Sequence, residues 1–171
     1  IAAAQELVAD GVDGITTNCG FLSIFQHAIA KAVGVPVATS SLMQTAMVNA
    51  LLPPGKKAGI LTISGSSLTT AHLIAASVPL DTPIGTTEGG REFTRAILGN
   101  EPELDVAAAE ADNVDAARQL VASNPDVGAL VLECTNMGPY APAIRAATGL
   151  PVFSILNFVT WFQTGLSPRV F

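Results

Sequence analysis

Two stretches of the chain repeat one pattern. Residues 12–40 read VDGITTNCGFLSIFQHAIAKAVGVPVATS, and residues 127–155 read VGALVLECTNMGPYAPAIRAATGLPVFSI. Placed over each other without a gap, they are identical at eight of 29 positions, and the only two cysteines of the chain coincide. Each cysteine is followed by Gly at the fifteenth position and Pro at the seventeenth. Chance identities between common residues such as Ala and Val do not explain this shared spacing. The repeat predicts two lobes of one design.

Each repeat has the pattern of a strand, a turn at the cysteine, a helix and a second strand. Val12–Thr17 and Val127–Cys134 are apolar runs of strand length, and Phe21–Val33 and Met137–Ala147 have helical periodicity. Further predicted strands are 35–39, 58–63, a short one near Ile84 and 152–155, and further predicted helices are 42–52, 68–77, 88–98, 112–123 and 157–164. Strands that alternate with helices indicate the α/β class, with mostly parallel sheets covered on both faces.

The order of these elements also predicts how the chain is divided. We expect a first lobe over residues 1–55, rejoined by a C-terminal helix over 156–171, and a second lobe over 56–155. The second repeat is preceded by the predicted strand Ala58–Ile63, whereas only a helix precedes the first repeat. We therefore expect the first lobe to lack its first strand in this sequence.

Composition excludes several classes of partner. The 171 residues include 14 acidic and 8 basic ones, a net charge of −6, which disfavours nucleic acid and anionic membranes as partners. Stretches without charge are interrupted by polar residues and do not read as membrane spans. With 49% hydrophobic and 13% charged residues, part of the surface is expected in a homodimer interface. Two cysteines do not make a disulfide framework, so we expect a cytoplasmic protein.

The repeated cysteines are the candidate catalytic residues. Each is expected at the carboxyl end of a strand where a helix begins, and there the helix dipole lowers the pKa of a thiol. Related by a pseudo-two-fold axis, Cys19 and Cys134 would face one cleft. Two facing thiols suit inversion at carbon, because one removes a proton and the other returns one from the opposite face. A single free cysteine is more often a buried structural residue, and only the repeat favours catalysis.

An enolate-forming site also has to hold a carboxylate. Turns with free backbone N–H groups at a helix start are suited to this. The predicted substrate-binding residues lie in three such turns: Asn18, Gly20, Ser64, Ser66, Thr135 and Asn136. An ordinary helix cap is an equally good explanation of the serine turn. Glu133 adjoins Cys134, and strand alternation is expected to direct its side chain away from that thiol, so Glu133 is not a predicted base.

These motifs resemble those of the cofactor-independent aspartate/glutamate racemase superfamily. The resemblance covers nearly the whole chain and rests on Thr17–Gly20, on Leu132–Met137 and on Gly59–Ser66. It implies two pseudo-symmetric Rossmann-like lobes with a catalytic cysteine from each. It also implies proton transfer at Cα of a small carboxylate substrate without pyridoxal phosphate or metal. An amino-acid racemase of the aspartate/glutamate type is therefore the leading hypothesis.

Departures from the family pattern leave the substrate open. Glutamate racemases tend to have Cys-Asn-Thr at the first cysteine and Cys-Thr-His at the second, whereas Gly20 follows Cys19 here and Asn136 stands in place of the histidine. The alternatives are a hydantoin racemase, an arylmalonate-type decarboxylase, a maleate-type isomerase, or a small-acid binding protein without catalysis. Because a decarboxylase typically keeps one of the two cysteines, the presence of both favours a racemase.

Overall fold

The computed structural model describes residues 1–168, which contain two parallel β-sheets. The first sheet pairs β1 with β2, and the second has the strand order β4-β3-β5-β6. The strands are β1 (Ile15–Thr16), β2 (Val37–Ala38), β3 (Lys57–Thr62), β4 (Ile84–Thr86), β5 (Val127–Leu132) and β6 (Val152–Phe153). All four strand pairings are parallel, which confirms the predicted α/β class.

The strand register follows the sequence repeat. In the first sheet Ile15 is opposite Val37, and in the second sheet Leu130 is opposite Val152. Both members of the second pair lie 115 residues after those of the first, which is the offset of the repeat. The two segments therefore form the same strand-to-strand unit once in each sheet.

Eight α-helices lie within the described chain. They are α1 (Ala2–Ala9), α2 (Gln26–Ala32), α3 (Thr45–Leu51), α4 (Thr70–Ala75), α5 (Phe93–Leu98), α6 (Val106–Ser123), α7 (Ala141–Thr148) and α8 (Ile155–Leu166). The helices predicted after the two cysteines begin instead as 3-10 helices, over Gly20–Phe25 and Thr135–Tyr140. The helix α6 begins six residues before its predicted start, because Asp105 caps it by accepting a hydrogen bond from the Ala108 amide.

The C-terminal helix extends two residues beyond its prediction at each end. The sequence predicted it over 157–164, within the segment 156–171 assigned to the first lobe, whereas α8 ends at Leu166 with Ser167 as its C-cap. Residues 169–171 of that segment lie outside the described residues. Over residues 1–168, none of the helices combines the length and the apolar character that crossing a bilayer requires.

The core lies on both faces of the second sheet. One cluster packs β3 and β5 against α5, α6 and α7, and another packs them against α3 and α4. Because helices cover both faces, every residue of β3 from Ala58 to Thr62 is buried. This accounts for the continuous apolar runs from which the strands were predicted.

Buried polar side chains join the first part of the chain to the second sheet. The Ser41 hydroxyl donates to the carbonyl oxygens of Leu132 and Glu133, at the end of β5. The Gln44 amide donates to the carbonyl oxygen of Ser154 at 3.1 Å. The backbone that leads into Cys134 is therefore fixed by residues that follow β2.

Gln26 holds the end of β2 against the start of α2. Its side chain is 8% exposed, and its amide nitrogen donates to the carbonyl oxygen of Val37 at 2.9 Å. Its amide oxygen accepts from the backbone N–H and the hydroxyl of Thr39, at 3.1 and 2.7 Å. One side chain thus satisfies three buried polar groups of β2 and the residue beyond it.

We predict that Gln26→Leu lowers the free energy of unfolding by about 2 kcal/mol, because leucine leaves the buried groups of Val37 and Thr39 without partners. Urea denaturation measures this loss. Gln119→Leu is the matched control, since Gln119 is exposed on α6 and its replacement should change stability by less than about 0.5 kcal/mol. Equal losses for the two variants would contradict the role given to Gln26.

Candidate active site

Both cysteines line one small cavity at the carboxyl ends of β1, β3 and β5. Its volume is about 120 Å³. It is lined by Asn18, Cys19, Gly20, Phe21, Ile63, Ile97, Leu98, Glu133, Cys134, Thr135 and Asn136. In parallel sheets, ligands bind at the carboxyl ends of the strands. The cavity is therefore the candidate active site, and the two sequence repeats each contribute one thiol to it.

The two thiols are positioned by the same local structure. Cys19 and Cys134 both have extended backbone conformations, and each is the N-cap residue of a six-residue 3-10 helix. An α-helix follows directly in both cases, α2 after Phe25 and α7 after Tyr140. The surroundings differ, because Cys19 is exposed whereas Cys134 is partly buried.

The structure brings together six of the eight predicted site residues. Besides the two cysteines, Asn18, Gly20, Thr135 and Asn136 line the cavity. Ser64 and Ser66 do not line it. The catalytic and binding roles of all eight residues remain predictions, but only the six residues that line the cavity are placed to contact one ligand.

The serine turn binds a carboxylate of the chain itself. The Glu88 side chain accepts hydrogen bonds from the hydroxyls of Ser64 and Ser66 and from the backbone N–H of Ser66. The Thr86 hydroxyl donates to the same carboxylate at 3.3 Å. These donors, those of Ser66 first, lower the pKa of Glu88 to about 2. The turn is suited to an anion as predicted, and in this structure the anion is Glu88.

Glu133 lies in the cavity wall beside Cys134, contrary to the expectation from strand alternation. It is only 1% exposed, and its Oε2 atom accepts a hydrogen bond from the Thr62 hydroxyl at 2.8 Å. Burial raises the pKa of Glu133, and hydrogen bonds from Thr62 and the Ile63 amide oppose the rise. β5 ends at Leu132, so alternation no longer separates the residues that follow it.

Gly20 provides the space that the Glu133 side chain fills. A Cβ atom at position 20 would lie 2.0 Å from Oε1 of Glu133 and 2.4 Å from its carbonyl oxygen. No side chain fits there without moving the backbone at Glu133. Gly20 therefore allows the first cysteine turn to contact the residue before the second cysteine.

The Cys134 thiol is a weaker acid than the sequence predicted. Burial, followed by the nearby Glu133 carboxyl, raises the pKa of Cys134 to about 12, and Cys19 adds to the rise. The backbone N–H groups of Asn136 and Met137 lower it only in part. The expectation that a helix start brings this thiol toward neutrality is wrong, because burial outweighs the short 3-10 helix. Cys134 is thus a protonated thiol at neutral pH.

The remaining wall is apolar and was not predicted as part of the site. It consists of Phe21, Ile63 and two residues of α5, Ile97 and Leu98. The helix α5 lies between the repeats and has no counterpart in the first one, so the repeat gave no signal for it. Among the lining residues, all within 1–168, there is no Lys, Arg or His.

In sequence, the chain is similar to proteins named as lyases. It is 31% identical to a dimethylsulfoniopropionate lyase of Durusdinium sp. clade D, over 93% of this chain and 55% of that protein. It is 32% identical to dimethylsulfoniopropionate lyase 7 of Emiliania huxleyi (strain CCMP1516), over 99% of this chain and 52% of that protein. The chain spans about half the length of these two relatives. No protein-family profile matches it.

In structure, the chain is similar to a decarboxylase and to racemases. A variant of arylmalonate decarboxylase superposes with a TM-score of 0.61 and 19% identity, over 97% of this chain and 72% of that one. Allantoin racemase from Pseudomonas fluorescens superposes with a TM-score of 0.61 and 17% identity, over 98% of this chain and 71% of that one. Glutamate racemase from Bacillus anthracis superposes with a TM-score of 0.57 and 15% identity, over 98% of this chain and 68% of that one.

The fold is the one that these decarboxylase and racemase structures share, and it agrees with the resemblance found in the sequence motifs. The named relatives and structural neighbours are all enzymes, and the relatives in sequence are lyases rather than isomerases.

We predict that the two thiols differ strongly in reactivity. With Cys19 replaced by serine, Cys134 should be alkylated by iodoacetamide at least about a hundredfold more slowly than free cysteine at pH 8, because only the thiolate reacts. Cys134→Ser leaves the exposed Cys19 as the matched comparison. Rates are followed by mass spectrometry of the intact chain. Fast alkylation of Cys134 at pH 8 would contradict the environment described for it.

We also predict that Glu88 contributes to stability in a defined acid range. Its pKa is lowered from 4.5 to about 2 in the folded chain, so its contribution is present above pH 4.5 and is lost as the pH falls toward 2. In Glu88→Gln, the free energy of unfolding should fall less steeply across this range. Glu103→Gln, which removes an exposed loop carboxylate, should keep the steeper native slope. Denaturation at several pH values measures both slopes.

Proposed function

We propose that the chain is the catalytic unit of a dimethylsulfoniopropionate lyase, an enzyme that removes a proton from Cα of a small carboxylate and releases a leaving group from Cβ. The observation that carries the proposal is the cavity itself, which holds two unequal thiols, one carboxyl group and an apolar wall without a basic side chain. The names of the relatives in sequence supply the substrate.

The cavity walls complement this substrate. Dimethylsulfoniopropionate has a carboxylate at one end and a sulfonium centre with two methyl groups at the other. Phe21, Ile97 and Leu98 offer apolar surface to the methyl groups. The backbone turns that begin at Cys19 and Cys134 offer N–H groups to the carboxylate. A second carboxylate, as in aspartate or glutamate, would lack a cationic partner among the described lining residues.

The difference between the thiols assigns their roles. The exposed Cys19 acts as the base that takes the proton from Cα. As the Cα–H bond breaks, its electrons form the Cα–Cβ double bond, and the Cβ–S bond breaks. Dimethyl sulfide leaves with the electron pair of that bond, and acrylate remains. The Cys134 thiol keeps its proton and donates a hydrogen bond to the charge that develops on the substrate carboxylate.

An amino-acid racemase is the second candidate. The observation that favours it is that both thiols line the same cavity, as a two-base inversion needs. Inversion in both directions requires each thiol to act as a base in turn. A pKa of about 12 makes Cys134 a poor base at neutral pH, and this favours elimination, in which one proton moves.

We predict that the chain converts dimethylsulfoniopropionate to dimethyl sulfide and acrylate, and that Cys19→Ser lowers kcat by about 100- to 10,000-fold, because general base catalysis contributes that much. Cys134→Ser, which keeps a hydrogen-bond donor, should retain more activity than Cys19→Ser. Gas chromatography of dimethyl sulfide measures the reaction. Ala107→Ser, on the exposed side of α6, is the control that should keep full activity.

Two results would decide against this assignment. Native chain that releases no dimethyl sulfide, but exchanges the Cα proton of aspartate or glutamate for deuterium in heavy water, would establish the racemase instead. Full lyase activity in both cysteine variants would remove the thiols from the mechanism altogether.

A further inference from the structure

Glu133 is a buried carboxyl group that the proposed elimination does not use. It is one of the largest side chains with almost no exposure, and it lies in the wall of the cavity. None of the salt bridges within residues 1–168 involves it. A buried carboxyl group without a cation is costly and is either protonated or paired with something that the free chain lacks.

The surrounding residues are arranged to keep this group in place. Thr62 donates a hydrogen bond to Oε2, and the glycine at position 20 leaves room for Oε1. The titratable groups that face the same cavity are the thiols of Cys19 and Cys134. On the neighbouring α5, Arg95 is paired with Glu92 and Glu101. Behind Phe21, the His72 ring packs edge-on against the phenyl ring.

We propose that the Glu133 carboxylate determines specificity by pairing with the cationic centre of the substrate, so that the cavity selects carboxylates carrying an onium group on Cβ. The inference rests on the proposed function for the type of substrate, but it concerns binding and not turnover. Phe21 lines the same cavity, and aromatic rings also attract onium groups. An acidic and an aromatic side chain, in a lining without Lys, Arg or His, fit an onium group better than a neutral alkyl group.

Pairing of this kind is linked to a proton. Without ligand, burial favours the protonated form of Glu133 by raising its pKa. An onium group in the cavity favours the carboxylate, so binding releases the carboxyl proton to solvent in the pH range where Glu133 of the free chain is protonated. Onium ligands should therefore bind more tightly as the pH rises through the pKa of Glu133, while neutral analogues should not.

The test uses two ligands that have no dimethyl sulfide to release. β-Alanine betaine carries a trimethylammonium group on Cβ of propionate, and its carbon analogue carries a tert-butyl group of nearly the same shape. We expect the native 171-residue chain to bind the betaine at least about tenfold more tightly in calorimetry, since close charge pairs at interfaces contribute at least this much. In Glu133→Gln the preference should disappear, whereas Glu103→Gln should retain it.

Proton release provides a second measurement that needs no variant. The pH dependence of betaine affinity first locates the pKa of Glu133 in the free chain. At that pH, titration of the native chain with the betaine in two buffers of different ionisation enthalpy should show protons released, and the tert-butyl analogue should show none. Equal affinity for the two ligands, binding of neither, absence of proton release, or an onium preference that survives in Glu133→Gln would overturn the inference. Onium preference in a chain without lyase activity would instead refute the proposed function and leave this inference intact.

Discussion

The contact between Glu133 and Gly20 is the constraint on which the candidate site depends. Gly20 follows the first cysteine and Glu133 precedes the second, so this contact sets the spacing of the two turns. Ser41 fixes the backbone on the other side by donating to the carbonyl oxygens of Leu132 and Glu133. Thr62 fixes the carboxyl group itself. The cavity is thus formed by residues from four separate parts of the chain, and two of these parts carry the thiols.

The repeat gives both thiols the same backbone, but their chemistry differs because the neighbouring side chains differ. The position that corresponds to Glu133 in the first repeat is Asn18, a neutral amide. Cys134 therefore has an acidic neighbour and a buried setting, while Cys19 is open to water. Duplication of a strand, a turn and a helix produces two similar thiols, and a single acidic residue, together with burial, makes them unequal. Such a difference is compatible with the proposed elimination, in which only one proton moves.

The fold could be predicted from sequence because it depends on regular patterns. Apolar runs predicted β3 and β5. The ungapped repeat predicted the matching strand pairs that contain Ile15 and Leu130. The two cysteine turns were found in the same way. Features that depend on contacts between distant residues were missed: Glu88 in the serine turn, α5 in the cavity wall, and the orientation of Glu133. The sequence predicted the wrong direction for the pKa shift of Cys134, because the position of a thiol at a helix start does not show how deeply that thiol is buried.

The close approach at Gly20 also limits how this protein can evolve. Any side chain at position 20 would collide with both the carboxyl group and the carbonyl oxygen of Glu133, so a shorter residue at position 133 would relieve only one of the two collisions. In the opposite repeat the position that corresponds to Gly20 is Thr135, which carries a side chain. Position 20 should therefore stay glycine whatever side chain position 133 acquires, and the two halves of the repeat are not interchangeable at this point.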